Sequence, residues 1–337
     1  MTATQASAPS SDGPRESGTN DRGVAGPVLR WFGIVLTLIA ASYFCLEIAE
    51  HTSALLSLSW QSADAGPLAA SLGLYSMMLL TVPFGWYLLL RSAGIDVRWR
   101  DATTITLLSQ FAKYVPGNVA HHIGRVALAR AYGLEIPTVI ATMTIETGWV
   151  VFTGTVIGMI CVLISAPALL MEGNGLPEIW QLSVAGACGA VAPFLGAWLI
   201  GRWRPGPLSR WIGPTPLHLP GVPALVACFG VHTMLYLLMG GMLFLLTHQL
   251  FGVASADYWL LTGIFAVAWV AGFIVPGAPG GLGVREAILV AAMGPFYGGA
   301  TAVAIAILLR LITTVGDGIG FLLGLFFRHL SKERSTA

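Results

Sequence analysis

The sequence predicts an all-α polytopic membrane protein made of two inverted repeats, each with three spans plus a broken re-entrant hairpin. Composition is the first reason: 55% of the 337 residues are hydrophobic and 10% are charged, against about 25% charged in an ordinary soluble domain. Length is the second. Apolar runs recur along the chain after residue 27, and they reach the roughly 20 residues that a helix needs to cross about 30 Å of hydrocarbon. The third is a duplicated interruption. VPGNVAHHIGR (115–125) and VPGAPGGLGVR (275–285) both open on VPG, both place an Arg nine residues after the Pro, and lie 160 residues apart.

Residues 1–27 are rich in Ser, Gly, Pro and Thr, a composition that cannot bury a core, and are expected to form a disordered cytoplasmic tail. They are too polar and too long for a signal-peptide n-region, so the first apolar run is expected to stay as a helix. Full crossings are predicted at 28–49, 67–90, 138–166, 179–201, 222–247 and 300–327. Two further apolar segments, 102–131 and 257–295, are each interrupted by a VPG run, and a complete crossing over 257–275 is a second reading. Residues 328–337 form a short basic cytoplasmic tail.

Lys and Arg set the orientation. Arg15, Arg22 and Arg30 flank the first span; Arg91, Arg98 and Arg100 follow the second; Arg202, Arg204 and Arg210 follow the fourth; Arg328, Lys332 and Arg334 follow the last. The segments 50–66, 167–178 and 248–256 contain neither residue type. By the positive-inside rule both termini are cytoplasmic. Six crossings fit this only if each interrupted segment enters and leaves on one side, the first as a hairpin open to the cytoplasm and the second as one open to the outside. The order span, span, broken hairpin, span then describes 28–166 and again 179–327, and three crossings per unit turn the second unit upside down. Secondary transporters use this inverted plan, with broken helices meeting near the midplane to form the substrate site. A lone VPG would be a surface turn in a chain with 41 Gly and 19 Pro, but two copies share four of eleven positions.

A break at membrane depth is tolerated only beside protein or a watery cavity, because unpaired backbone in hydrocarbon is costly. Each helix that restarts after a break presents amides without intrahelical partners and about half a positive charge. Asn118 is the expected N-cap of the first restart, and Gly280, Gly281 and Gly283 would let a ligand approach the second backbone closely. Such ends suit an anion, above all a phosphate. Arg125 and Arg285 would add two-pronged donors that match phosphate oxygens. Snorkelling at the membrane surface is the competing reading of each, and the preferred one for Arg130.

Other charges sit where lipid should exclude them. Glu146 falls about two turns inside its span, Arg310 lies near the middle of the last, and Asp317 follows on the same helical face. Each would cost about 2.5–3.5 kcal/mol alone at a helix centre, so they must face one another or water. Lys113, Arg125, Arg285 and Arg310 set four positive charges against the three of Glu146, Glu286 and Asp317. That excess favours an anionic guest; ion pairing for structure alone is the competing reading. His121 and His122 project about 100° apart on a helix and make a poor metal pair, leaving a hydrogen-bonding role or polar filler. Trp60, Trp86, Trp99, Trp180, Trp203, Trp211 and Trp259 read as an interfacial belt. Cys45, Cys161, Cys188 and Cys228 lie in apolar runs without metal-ligand spacing and read as packing residues. No cofactor is implied, and no basic arm points to nucleic acid.

KYVPGNVAHHIGRVALARAYGL followed by Glu146, then PGAPGGLGVREA with the late Arg310 and Asp317, resembles the flippase-like family related to the transmembrane region of lysylphosphatidylglycerol synthases. PGGLGVRE is its most specific element, and the likeness covers residues 28 to 330. By residue match, the resemblance assigns Pro116, Gly117, Arg125 and Glu146 to one conserved cluster and Pro279, Gly280, Gly281, Gly283 and Glu286 to a second. It implies movement of lipids with polar headgroups, such as aminoacylated phosphatidylglycerol or isoprenoid-linked sugars, across the cytoplasmic membrane. The chain ends soon after its last span, so the aminoacyl-transfer reaction of the full synthase is not expected, and a lipid-modifying enzyme is allowed as a partner.

The expected function is therefore a lipid flippase whose cavity holds an anionic headgroup between two helix restarts. No GxxxxGK[ST] run occurs, which argues against ATP hydrolysis within the chain. Proton coupling and passive equilibration are both open. The alternative is a membrane-embedded transferase with an isoprenoid-linked donor, though the outer loops supply only Glu50, Asp64, Glu172 and Glu178 as acids. A structural or regulatory subunit is a third reading.

Overall fold

The computed structural model describes residues 64–114, 120–165, 219–275 and 281–333, with the isolated helical positions Ser42, Cys45, Leu46 and Ala49. All regular structure among them is helical. The predicted crossing at 179–201 lies outside the described residues, as does most of 28–49, and so do Pro116, Gly117, Asn118, Pro279 and Gly280.

The chain enters α1 (Ala65–Ser92) and leaves it through Gly94 at φ 85°, a left-handed conformation that glycine adopts without strain. Asp101 in the first turn of α2 (Trp99–Gln110) accepts from Arg98 at 2.9 Å and adds negative charge where the helix dipole favours it. A 3₁₀ turn at Phe111–Tyr114 brings the chain to the first VPG run. After it, α3 (Ala120–Ala131) leads to α4 (Ile136–Ser165). In the second half, α5 (Val222–Phe244) has Pro in its first turn, where the missing N–H costs nothing, and continues through a π turn at Leu245–Leu250. Asp257 caps α6 (Tyr258–Ile274), accepting from the Leu260 amide at 2.8 Å. Beyond the second VPG run come α7 (Val284–Tyr297) and α8 (Gly299–Glu333).

Four of these stretches are long and apolar enough to cross a membrane: α1, α4, α5 with its π turn, and α8. The flanking pairs are shorter. At 12 residues each, α2 and α3 rise roughly 18 Å; at 17 and 14 residues, α6 and α7 rise about 25 and 21 Å. All four fall below the roughly 30 Å of a hydrocarbon core.

The core is built around α6, whose Leu261 and Phe265 pack with Tyr236, Met239 and Leu243 of α5 and with Leu289 and Met293 of α7. Small residues allow close helix approach: a Cβ placed on Gly263 of α6 would lie 2.9 Å from Cys161 of α4 and 3.3 Å from the Gly158 carbonyl oxygen. Met77, Phe84, Ile160, Val226, Leu311 and Val315 are exposed on the outside of the crossing helices, as a lipid-facing surface requires.

The packing pairs form a pattern. Helix α4 lies on α6 and α8 lies on α2; α1 packs with α2 and α5 with α6; α3 with α4 and α7 with α8; α1 with α8 and α5 with α4. Exchanging α1–α4 for α5–α8 converts each of these contacts into the other member of its pair, and converts the α1–α5 contact into itself.

Candidate functional site

Between the two halves lies a cavity of about 190 Å³ whose walls come from all eight helices, α2 contributing Gln110 at its end. His121 and His122 from the first restart, and Gly281 and Arg285 from the second, line this same space. The two helix beginnings that the sequence singled out thus share one cavity.

Three ionic groupings surround it. In the first, Arg125 of α3 donates to Glu146 of α4 from Nη1 at 2.5 Å, with a longer contact from Nη2 at 3.5 Å, and Nη2 also donates to Thr106 at 3.0 Å. The guanidinium lies 4.0 Å over the Trp86 ring, and the Trp86 indole N–H donates to Thr142 at 3.2 Å. Arg125 is 7% and Glu146 5% exposed. In the second, Lys113, in the 3₁₀ turn after α2, meets Asp317 of α8 at 2.7 Å, and the Tyr75 hydroxyl donates to the other Asp317 oxygen at 2.8 Å. In the third, Glu286 of α7 accepts from Arg285 at 3.3 Å and pairs with Arg310 of α8 at 3.6 Å. Arg285 and Arg310 lie within electrostatic reach of Lys113.

Two of these groupings mirror each other. In each half the helix that follows the VPG run is tied to the next long helix, by Arg125–Glu146 in one and by Glu286–Arg310 in the other, with the sign of the charges reversed. Lys113–Asp317 joins the first half to the second. Counting all seven groups gives four positive and three negative charges, and the surplus falls on the grouping in which two Arg face one carboxylate.

Glu286 does more than neutralise. Its other carboxylate oxygen accepts from the Gly283 amide at 2.8 Å, the N3-to-N-cap half of a capping box. Gly283 sits at φ 82°, so a side chain there would be strained. The restart of α7 therefore already holds an anionic group of its own. Glycine at 281 also has a physical reason other than ligand approach: it sits at φ 73°, where a side chain would be strained, and a Cβ there would only make ordinary contact with Gly272 of α6 at 3.4–3.5 Å.

Of the residues the sequence nominated, Lys113, Arg125, Glu146, Gly281, Arg285, Arg310 and Asp317 line the cavity, and Glu286 stands behind it in contact with both arginines. Trp86 departs from its expected place. It is fully buried rather than interfacial, because it forms the platform under Arg125. The His121 and His122 rings stand 3.9 Å apart, closer than their projection on an ideal helix suggests. Tyr75, Thr106 and His232 were missed. A histidine in the middle of a predicted span is a detectable signal; the Tyr75 and Thr106 contacts arise from tertiary packing and leave none.

Fold and site together define a helical, multi-pass membrane protein with a charged internal cavity. The chain belongs to the family described as the lysylphosphatidylglycerol synthase TM region, whose model matches residues 30–319. A comparison with curated proteins finds no match.

Proposed function

We propose that the protein is a lipid flippase that carries a phosphate-bearing lipid between leaflets of the cytoplasmic membrane, with both termini in the cytoplasm. The observation that carries this reading is the convergence of Lys113, Arg285 and Arg310 on one cavity that both helix restarts line. Charged groups at membrane depth are expensive and mark a route for a polar guest. A phosphate entering the cavity competes with Glu286 for the two arginines, where planar guanidinium donors match its oxygens. The lipid tail stays in the bilayer. Both an aminoacylated phospholipid and an isoprenoid-linked sugar carry such a group.

The paired packing of the two halves supports a mechanism in which inverted units rock about the cavity and open it to alternate sides. In that mechanism the first hairpin faces the cytoplasm and the second the outside. Lys113–Asp317 is, among the described residues, the ion pair that joins the halves. A guest phosphate that draws Lys113 away from Asp317 loosens that tie and couples occupancy to movement.

Phosphatidylcholine vesicles containing tail-labelled phosphatidylglycerol test the reading. The native protein should accelerate leaflet exchange, and Arg285→Gln or Arg310→Gln should slow it by about tenfold or more, the effect of losing a charge-assisted contact. Glu286→Gln should also alter the rate, because it changes the group against which the phosphate competes. No acceleration by the folded native protein would refute the proposal. Headgroup transfer without leaflet exchange would favour a membrane-embedded transferase instead.

A further inference from the structure

His232 lies in the middle of α5 and is fully buried, with 0% exposure. Its Nδ1 stands 2.8 Å from the Cys228 carbonyl oxygen. A carbonyl only accepts, so Nδ1 carries the proton and donates, and in the neutral ring Nε2 is then a bare acceptor. Nε2 is buried and has no hydrogen-bond partner among the described residues. The residue lines the cavity beside Glu146, Val150 and Leu235, and its charged neighbours, Arg125 and Glu146, are already bonded to each other. An acceptor left without a donor bears its full desolvation cost, and here it does so in the wall of the proposed transport route. His121 Nδ1 is another buried nitrogen on this cavity without a partner among the described residues, but its ring leans at a tilt against His122 and its tautomer is not fixed as that of His232 is.

We infer that His232 selects the headgroup: Nε2 accepts a hydrogen bond from a hydroxyl or amino group of a lipid whose phosphate occupies Arg285 and Arg310. The inference rests on the flippase reading and narrows its substrate class to anionic lipids with a hydrogen-bond donor beyond the phosphate. A site built around a buried polar group rejects an analogue that cannot pair with it.

Two lipids of equal charge separate this from simple phosphate binding. Phosphatidylglycerol carries two hydroxyl donors in its headgroup, and phosphatidylmethanol carries none. With each tail-labelled in phosphatidylcholine vesicles, the native protein should exchange phosphatidylglycerol at least about fivefold faster, the effect of one hydrogen bond to a buried acceptor. His232→Asn keeps a donor near the Cys228 carbonyl and deletes the acceptor; it should bring the two rates together by slowing phosphatidylglycerol alone. His232→Gln reaches the Nε2 position with an amide and should restore part of the preference. Equal rates in the native protein, or a preference that survives His232→Asn, would overturn the inference while leaving transport intact. Failure to move either lipid would refute the flippase reading and this inference with it. If the variants do not fold, equal native rates for the two lipids still overturn the inference.

Discussion

Glu146→Gln removes one charge from the Arg125–Glu146 pair and leaves its shape almost unchanged. Both partners are nearly inaccessible, at 7% and 5% exposure, and they meet at 2.5 Å. Arg125 cannot discard its proton, so the variant must keep a buried cation with Thr106 at 3.0 Å and the Trp86 face at 4.0 Å as its principal remaining partners. Breaking a buried pair from one side costs about 3–5 kcal/mol. The cation–π contact contributes about 0.5–2 kcal/mol, and the glutamine carbonyl can still accept from Arg125. The expected loss therefore falls at the lower end, about 3 kcal/mol. Replacing both members, Arg125→Met with Glu146→Met, withdraws both charges and should return stability to within about 1 kcal/mol of the native protein. Equilibrium unfolding in mixed detergent micelles, followed by tryptophan fluorescence, measures all three. A Glu146→Gln protein as stable as the native one, or a double variant no better than the single, would show that the pair is not carried as a desolvated ionic unit.

Gly316→Ala should damage the site from the other side, since the new Cβ would collide with Cδ1 of the Tyr75 ring. The ring must move and its bond to Asp317 break, so the loss should be about 2–3 kcal/mol, against about 1 kcal/mol for Tyr75→Phe; the same unfolding assay checks the order of the two. Single cysteines at Ser62, Asn174 and Ser209 in a background lacking native cysteines test the orientation. The first two should react with an impermeant reagent from outside and the third from inside, and the reverse pattern would overturn the assignment of both hairpins.

Among the described residues the crossings were legible because lipid imposes a simple demand on composition and length. Predicted 67–90 and 138–166 became Ala65–Ser92 and Ile136–Ser165, while 222–247 runs three residues further through a π turn to Leu250. The interruptions were legible too, since clustered Pro and Gly disfavour a continuous helix: α6 ends at Ile274 and α2, through its 3₁₀ turn, at Tyr114, just before the two VPG runs, whereas the isolated Pro83 and Pro295 lie inside α1 and α7. Which charges belong together was not. Arg125 finds Glu146 twenty-one residues away, and Lys113 finds Asp317 across the whole chain; partners of this kind are chosen by helix packing, which one sequence does not display. Glu286 illustrates the same limit. The sequence counts it among the charges near the cavity, but does not display that one of its oxygens also caps the α7 restart. His232 escaped for a different reason, because a neutral imidazole in an apolar run attracts less notice than a formal charge.

The grouping of two arginines on one carboxylate has an electrical consequence. Lys113–Asp317 and Arg125–Glu146 each cancel, so the seven groups together present one uncompensated unit of positive charge. A monoanionic phosphodiester brings such a compartment to neutrality, whereas a divalent pyrophosphate reverses its sign in a medium that screens poorly. Electroneutrality alone would then rank guests by valence before any atom of the headgroup is read.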